Sequence, residues 1–290
     1  MLIVSSDAKE IKTFLFGGIG NQLFQYAFGL KIAEEIGGFV SLDLRGRPTR
    51  GQQKGSNITE LKIGSKKSYM GQELLNYLVK IPMSRVFRDS PSPVSDFVLG
   101  IAHPDSYSDR RVIKVAQYAQ HRTAQNYFDG MVPISLKERP SSRLLEDYSI
   151  VESRNVLTIH HRLGDTLRLR DSRGLLGKEF FTSALQRSQQ ISSSIDHVHV
   201  HTDSMSLSEK LLDDWLPATT KSYAPQDLSA AEVLTSLARA RNLVLSNSTL
   251  SWWAAAAGMH TMVFSPNTWD VRGDTSLILD SWITIDPSWE

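Results

Sequence analysis

Apolar and polar positions divide the chain into a first half with few clear periods and a second half with many. Thr13-Phe14-Leu15-Phe16 reads as a brief strand, and Gly17-Gly18-Ile19-Gly20 must then turn the chain tightly. A helix pattern starts at Asn21: Leu23, Ala27 and Leu30 form one stripe, Phe24, Phe28 and Ile32 the next, and Gly37-Gly38 ends it. Phe39 to Leu42 is a second strand, followed by Asp43. From Thr49 to about Pro140 the pattern weakens. Ile58–Ile63 and Val112–Ala116 are strand candidates, and Ser90-Pro91-Ser92-Pro93 is a loop. The segment from Gln117 to Phe128, with Tyr118, Gln120, His121, Asn126 and Tyr127, suits a binding loop or a solvated helix equally.

Polar residues across Glu146–Arg154 suggest a boundary, after which the chain reads β-α-β-α-β-α-β. Val156 to Ile159 is a short strand buried on both faces. A loop with Arg168, Arg170 and Arg173 leads to a helix from about Gly177, whose Phe181, Ala184 and Leu185 face inward. His197–His201 is the next strand, ending in Thr202-Asp203-Ser204. Ser206-x-x-Glu209 has the form of a capping box opening a helix with Leu207, Leu211 and Trp215 on one stripe. Ser229-x-x-Glu232 is a second such box, with Val233, Leu234 and Leu237 behind it. Leu243–Leu245 is a strand, Ser246 to Ser251 a polar turn, and Trp252 to Ala257 a helix stopped by Gly258. Thr261–Phe264 is the last strand. Such alternation implies a parallel sheet with helices on both faces.

Composition narrows the function classes. A chain of 290 residues is long enough for two domains. Lys and Arg (32) nearly cancel Asp and Glu (31), so nucleic acid, which wants a strongly basic face, is not an expected partner. The chain has no cysteine, which excludes disulfides, thiolate metal sites and cysteine nucleophiles. No apolar run approaches the roughly 18 residues of a membrane span. Met1 to Lys12 lacks the long apolar stretch of a secretory leader, and a cytoplasmic protein, at most peripherally attached to a membrane, is expected.

Candidate chemistry gathers behind predicted strand ends. Ile159-His160-His161-Arg162-Leu163-Gly164-Asp165 follows a buried strand, and groups just past a strand's C-terminal end line the ligand crevice of an open α/β sheet. Arg162 would emerge there as a fixed cation with a planar fork of donors suited to a diphosphate; the plainer alternative is an Arg–Asp pair tying down a loop. His160 and His161 point to opposite faces, so only one enters the crevice. Ser246-Asn247-Ser248-Thr249-Leu250-Ser251 lies between a strand and a helix, where free N–H groups and small hydroxyls make an anion site or a plain N-cap. If both segments sit on the same sheet edge, one diphosphate touches both.

Two other patterns are weighed against this. The glycine turn at 17–20 resembles a dinucleotide fingerprint, but Leu23 stands where the third glycine belongs; an NAD-dependent oxidoreductase is the alternative of a different class. Glycine needed only for the turn's backbone is the simpler account, with Asn21 and Gln22 presenting amides to the crevice. His197, His199 and His201 share one side of a strand, as a metal triad would, although three such histidines more often pack or meet solvent. Asp165, Asp203 and Glu232 are the carboxylates near strand ends or helix starts. Trp252 and Trp253, followed by alanines, read as core.

With these motifs in view, the chain resembles glycosyltransferase family 11, the α-1,2-fucosyltransferases, over nearly its whole length. Gly17-Gly18-Ile19-Gly20-Asn21-Gln22-Leu23-Phe24-Gln25-Tyr26-Ala27 matches the family's GGxGNQxFQYA. His160-His161-Arg162-Leu163-Gly164-Asp165 is similar to HxRRGD, with Leu163 in place of the second arginine. Asn247-Ser248-Thr249-Leu250-Ser251-Trp252-Trp253 is similar to NSTFSWW, and Pro266-Asn267-Thr268-Trp269 to the closing PxxW. Gln117-Tyr118-Ala119-Gln120 through Tyr127-Phe128 is a looser version of GYxQ…YF.

The resemblance implies an α/β, GT-B-like fold of two Rossmann-like domains with a cleft between them: residues 1–148 on the acceptor side and 149–290 binding the GDP-sugar. It implies an inverting transfer of L-fucose from GDP-β-L-fucose to the 2-hydroxyl of a terminal β-galactoside, with no metal and no cofactor beyond the donor. By matching positions, Arg162 holds the β-phosphate, His160 lies against the nucleotide, and Ser248 and Thr249, beside Asn247, take phosphate oxygens. Glu232 falls where related enzymes place a guanine-binding acid, and Gly18, Gly20 and Asn21 form the opening turn on the donor. Asp165 is the candidate base, and Asn21 or His161 orients the acceptor. The remaining alternatives are a transferase of the same fold using another nucleotide sugar and a non-catalytic glycan-binding module.

Overall fold

A computed structural model describes residues 10–43, 58–63, 112–115, 120–127, 134–164 and 166–289. The chain divides into two compact units, Met1–Lys54 with Gly64–Gly130, and Gly55–Ile63 with Met131–Glu290.

In the first unit, β1 (Glu10–Phe14) leads through Gly17, whose φ is +78°, into helix α1 (Ile19–Ile36) and back to β2 (Phe39–Asp43). Positive φ suits glycine, which has no Cβ to clash. Leu23, Phe24, Ala27, Leu30, Ile32 and Ala33 are buried, so the helix is apolar over a wide arc as its two stripes predict. Full burial of Leu23 and Phe24 stabilises by roughly 1.5–3 kcal/mol each. The short strand β3 (Leu61–Lys62) belongs to the second unit. β4 (Val112–Val115) pairs with β1 and completes a parallel sheet of order β2-β1-β4. The proline-containing loop expected at 90–93, and residues 117–119 and 128 of the Gln117–Phe128 segment, lie outside the described residues.

The second unit adds β5 (Ser135–Leu136), which pairs antiparallel with β3, and then α2 (Ser142–Val151), capped by Ser141. Helix α2 spans the polar stretch that reads as a boundary in the sequence, so position 148/149 falls inside an element packed in this unit. β6 (Val156–His161) follows, then the single turn α3 (Arg170–Arg173), α4 (Lys178–Ile191), β7 (His197–Thr202), α5 (Met205–Trp215) and β8 (Thr220–Tyr223). The rest is α6 (Ala230–Arg239), β9 (Asn242–Val244), α7 (Thr249–Ala257), β10 (Met262–Pro266) and β11 (Ile283–Ile285).

Six parallel strands run β11-β10-β9-β6-β7-β8. Numbered within the unit, this is the 3-2-1-4-5-6 order of dinucleotide-binding sheets, and the strand order reverses between β6 and β9. β8 and β11 are absent from the sequence reading: both are short edge strands, and β8 (Thr-Lys-Ser-Tyr) carries no buried residue. The capping box expected at Ser206 does not form, because α5 starts two residues earlier, after Ser204. Its buried stripe is accordingly Ser208, Leu212 and Trp215 rather than Leu207, Leu211 and Trp215. The box at Ser229 and Glu232 does form.

The two faces of this sheet differ chemically. Leu157, Ile159, Val198 and Val200 pack with Phe180, Phe181, Leu212 and Trp215 in the main core. The alternate residues Thr158, His160, His199 and His201 face the other way and are buried as well.

Candidate active site

β6 ends at the point where the strand order reverses, and Arg162 is the next residue. β9 pairs with β6 through Thr158–Leu243 and Ile159–Val244, so the turn at 245–248 and the start of α7 lie on the same C-terminal edge. Ser246 Oγ is 2.9 Å from His160 Nδ1, which ties the two strand ends together directly. Both segments therefore meet at one sheet edge, as the sequence reading requires. The nine-residue α7 turns its positive end toward it, a site where an anion is stabilised by backbone N–H groups and the helix dipole.

Arg162 is held by an acid that sequence reasoning did not pair with it. Its Nε lies 3.0 Å from Asp203 Oδ2, at the end of β7, with side chains 32% and 26% exposed. Asp203 Oδ1 accepts the backbone N–H groups of Leu163 (2.8 Å) and Gly164 (3.0 Å). The plainer reading, an Arg–Asp pair tying down a loop, is thus true together with the crevice reading. An ion pair this exposed adds little stability, but it sets the direction of a guanidinium. Gly164 lets the carboxylate approach: a Cβ there would stand 2.5 Å from Asp203 Oδ2. Gly164→Ala is expected to destabilise by about 1–3 kcal/mol through this clash. A thermal melt equal to the parent's would show that Asp203 moves aside freely.

The two histidines separate as alternation demands. His161 lies on the aromatic face, its ring centroid 5.0 Å from Phe181 and 5.7 Å from Trp215, with Nδ1 2.8 Å from Ser208 Oγ. Burial, opposed by the Asp203 carboxylate, pushes its imidazole down to about 4. His160 faces the crevice side. Burial first, then the Arg162 guanidinium and the neighbouring imidazoles, holds it well below the ordinary histidine value, so it is neutral.

On the α7 side, Ser248 Oγ accepts the Leu250 N–H (3.3 Å) as an N-cap, and Ser251 Oγ donates to the carbonyls of Ser246 and Ser248. Asn247 donates to the carbonyls of Arg173 and Gly174 at 3.0 and 3.2 Å, binding the arginine-bearing loop to the turn. Thr249 opens the helix. Trp252 and Trp253 are core, as expected, with Trp252 Nε1 donating to Leu277 O at 2.6 Å. Glu232 is engaged in its capping box, accepting the Ser229 N–H at 2.7 Å through one oxygen.

The glycine turn belongs to the first unit. Gly18 caps α1 and Gly20 is buried in its first turn. Gln22 does not offer its amide outward: Nε2 donates to Gly17 O at 2.9 Å. Gln25 brackets Phe16, accepting its N–H at 3.0 Å and donating to its carbonyl at 3.1 Å. These two glutamines of the motif hold the turn. Asn21 accepts from Gln120 Nε2 at 3.0 Å, which joins the opening motif to the 117–128 segment. Asp165, the candidate base, lies outside the described residues.

The three histidines of β7 do not converge on one point. His197 Nε2 meets Ser222 Oγ at 2.6 Å, whereas His199 and His201 converge on Asp147 of α2, a residue with no signal in the motif reading. Burial opposes ionisation of Asp147, but donors from His199, His201 and Ser236 outweigh it and hold the carboxyl far below the usual range.

No family model and no curated protein matches the chain. Solved structures do. The fucosyltransferase NodZ from Bradyrhizobium is 14% identical with a TM-score of 0.51, covering 86% of this chain and 93% of that one. The NodZ alpha-1,6-fucosyltransferase soaked with GDP-fucose gives 13%, 0.52, 87% and 93%. A variant of Arabidopsis thaliana FUT1 in complex with GDP gives 12%, 0.50, 90% and 70%. Likeness at such identities shows a shared fold. With the parallel sheets described above, it establishes the α/β, GT-B-like class expected from the sequence.

Proposed function

We propose that this chain transfers L-fucose from GDP-β-L-fucose to the 2-hydroxyl of a terminal β-galactoside, inverting the anomeric centre, with no metal in the transfer step. The observation that carries the reading is the meeting of Arg162 and the α7 N-terminus at the switch point of the second unit's sheet. The fold shared with NodZ, a protein crystallised with GDP and soaked with GDP-fucose, supports the donor class. Support for the α-1,2 linkage comes from the motif resemblance, and NodZ itself is described as an alpha-1,6 enzyme.

Cleaving the sugar–phosphate bond builds negative charge on departing GDP. Arg162 and the first N–H groups of α7, with Ser248, Thr249 and Asn247 beside them, stabilise that charge; each charge-assisted contact contributes roughly 1.5–3 kcal/mol. Neutral His160 lies against the nucleotide without adding a second charge. Glu232 is the proposed guanine contact, through the oxygen its capping box leaves over. The second unit is then the donor domain and the first the acceptor side, with Gly18, Gly20 and Asn21 in its opening turn. Asp165 is the proposed base for the acceptor hydroxyl. Among the described residues no helix is long and apolar enough to cross a membrane; a cytoplasmic location belongs to the proposal.

The test is incubation with GDP-fucose and a β-galactoside, with the product's linkage read by NMR. An α-1,2 product is expected; another linkage overturns the specificity, and absence of GDP release overturns the transferase. In the same assay Asp165→Asn is expected to lower the rate and remove the acidic limb of the pH profile, and an unaltered profile excludes the aspartate as base.

A further inference from the structure

The polar face of the large sheet holds a constellation that fucosyl transfer does not use. Asp147 reaches from α2 to β7, with Oδ1 2.8 Å from His199 Nε2 and Oδ2 3.3 Å from His201 Nε2; all three side chains are 0–1% exposed. Ser236 of α6 donates to Asp147 Oδ2, and its Oγ lies 3.5 Å from His201 Nε2. We infer that Asp147, His199 and His201 form a divalent-cation site of the zinc class, with Ser236 on the fourth side.

Four observations support this. The three ligand atoms lie within 4.8 Å of one another. Tetrahedral zinc with bonds of about 2.0–2.1 Å spaces its ligands by roughly 3.3–3.4 Å; the Asp147–His199 and Asp147–His201 contacts at 2.8 and 3.3 Å are near that spacing, and side-chain rotation brings the remaining separation, at most 4.8 Å, to it. His-x-His on a strand presents both imidazoles to one face, and two imidazoles with a carboxylate suit zinc rather than calcium or magnesium, which take oxygen ligands. His199 is braced through Nδ1 by Ser222 Oγ at 2.7 Å, the outer hydrogen bond that orients a ligating histidine; His201 has no such partner among the described residues. Finally, Asp147 is a fully buried acid whose described partners include no lysine or arginine. A buried carboxylate without a cation is costly, and a divalent ion supplies one.

The ion would tie α2 to β7 and α6 within the second unit. It takes no part in the transfer step, so this inference stands whether or not the fucosyltransferase reading does. The competing account is a network in which both imidazoles donate to the carboxylate and no metal binds.

The experiment uses the full chain stripped with a chelator and titrated with Co2+. The expected result is a saturable visible d–d spectrum of a tetrahedral nitrogen and oxygen site, abolished by Zn2+, and a melting temperature raised by zinc. His201→Ala should lose the spectrum and the zinc response, His197→Ala should keep both, and Ser222→Ala should weaken zinc binding about 10–100-fold. If His201→Ala does not fold, the parent's titration decides alone. A parent showing only the aqueous cobalt spectrum and a zinc-indifferent melting temperature overturns the site, as does a spectrum that survives in His201→Ala.

Discussion

Arg162→Ala is expected to lower turnover at least about a hundredfold at saturating donor while leaving the melting temperature nearly unchanged. The first half follows from the proposed function and from where the residue stands, at the switch point beside a helix N-terminus, where the charge departing with GDP would fall on its guanidinium. The second half follows from partial exposure, since the Arg162–Asp203 pair still reaches solvent and Asp203 keeps its two backbone donors when the guanidinium goes. Arg162→Lys should recover only part of the rate. A lysine keeps the charge but not the fork, and it cannot meet Asp203 and a phosphate with the same planar geometry. Steady-state rates with GDP-fucose and a β-galactoside decide the matter. Near-normal turnover in Arg162→Ala would remove this residue from the mechanism.

Much of this site was legible because it rests on short-range rules. The buried run Val156–Ile159 marks a central strand, and the residues behind such a strand fall at the ligand edge whatever the helices do. The same rule places Ser246–Ser251. Parity along a strand separated His160 from His161, and each is found on its own face. What stayed hidden depends on partners far apart in the chain. Asp203 was visible as a carboxylate behind a strand, but its grip on Arg162 and on two backbone amides of the β6 loop requires β6 and β7 to be neighbours in register. Asp147 sits on a helix taken for a boundary. There the polar residues outweighed the signal of Leu144, Tyr148 and Val151, whose spacing of four and three marks one buried stripe.

The buried polar face explains why. His199 and His201 read as polar positions in an otherwise apolar strand, and alternation alone assigns such positions to solvent. Here the histidines are met with hydrogen bonds, His199 and His201 by Asp147 of α2 and Ser236 of α6, and His160 by Ser246 of the turn before α7. A strand that reads as alternating is therefore buried on both sides when the facing helices carry matching polar groups.

His161 yields the second large effect, an acid destabilisation of the second unit. Its imidazole is pushed from the ordinary value of 6.5 down to about 4 by burial between Phe181 and Trp215. Above pH 6.5 neither the folded nor the unfolded chain protonates it, and stability is flat with respect to this group. Between 6.5 and about 4 the unfolded chain binds a proton that the native one refuses. Stability then falls as pH falls, by up to about 1.4 kcal/mol per pH unit and ~3 kcal/mol across the window. His160, shifted in the same direction, adds to the slope. Urea midpoints measured through this window check the sign and the size. The control is His161→Leu combined with Ser208→Ala, which removes the ring and its buried hydroxyl partner together and so orphans neither. That variant should show an acid slope shallower by one proton. An unchanged slope would mean that the imidazole titrates normally in the folded protein, and that the aromatic face of the sheet opens to water more readily than its packing implies.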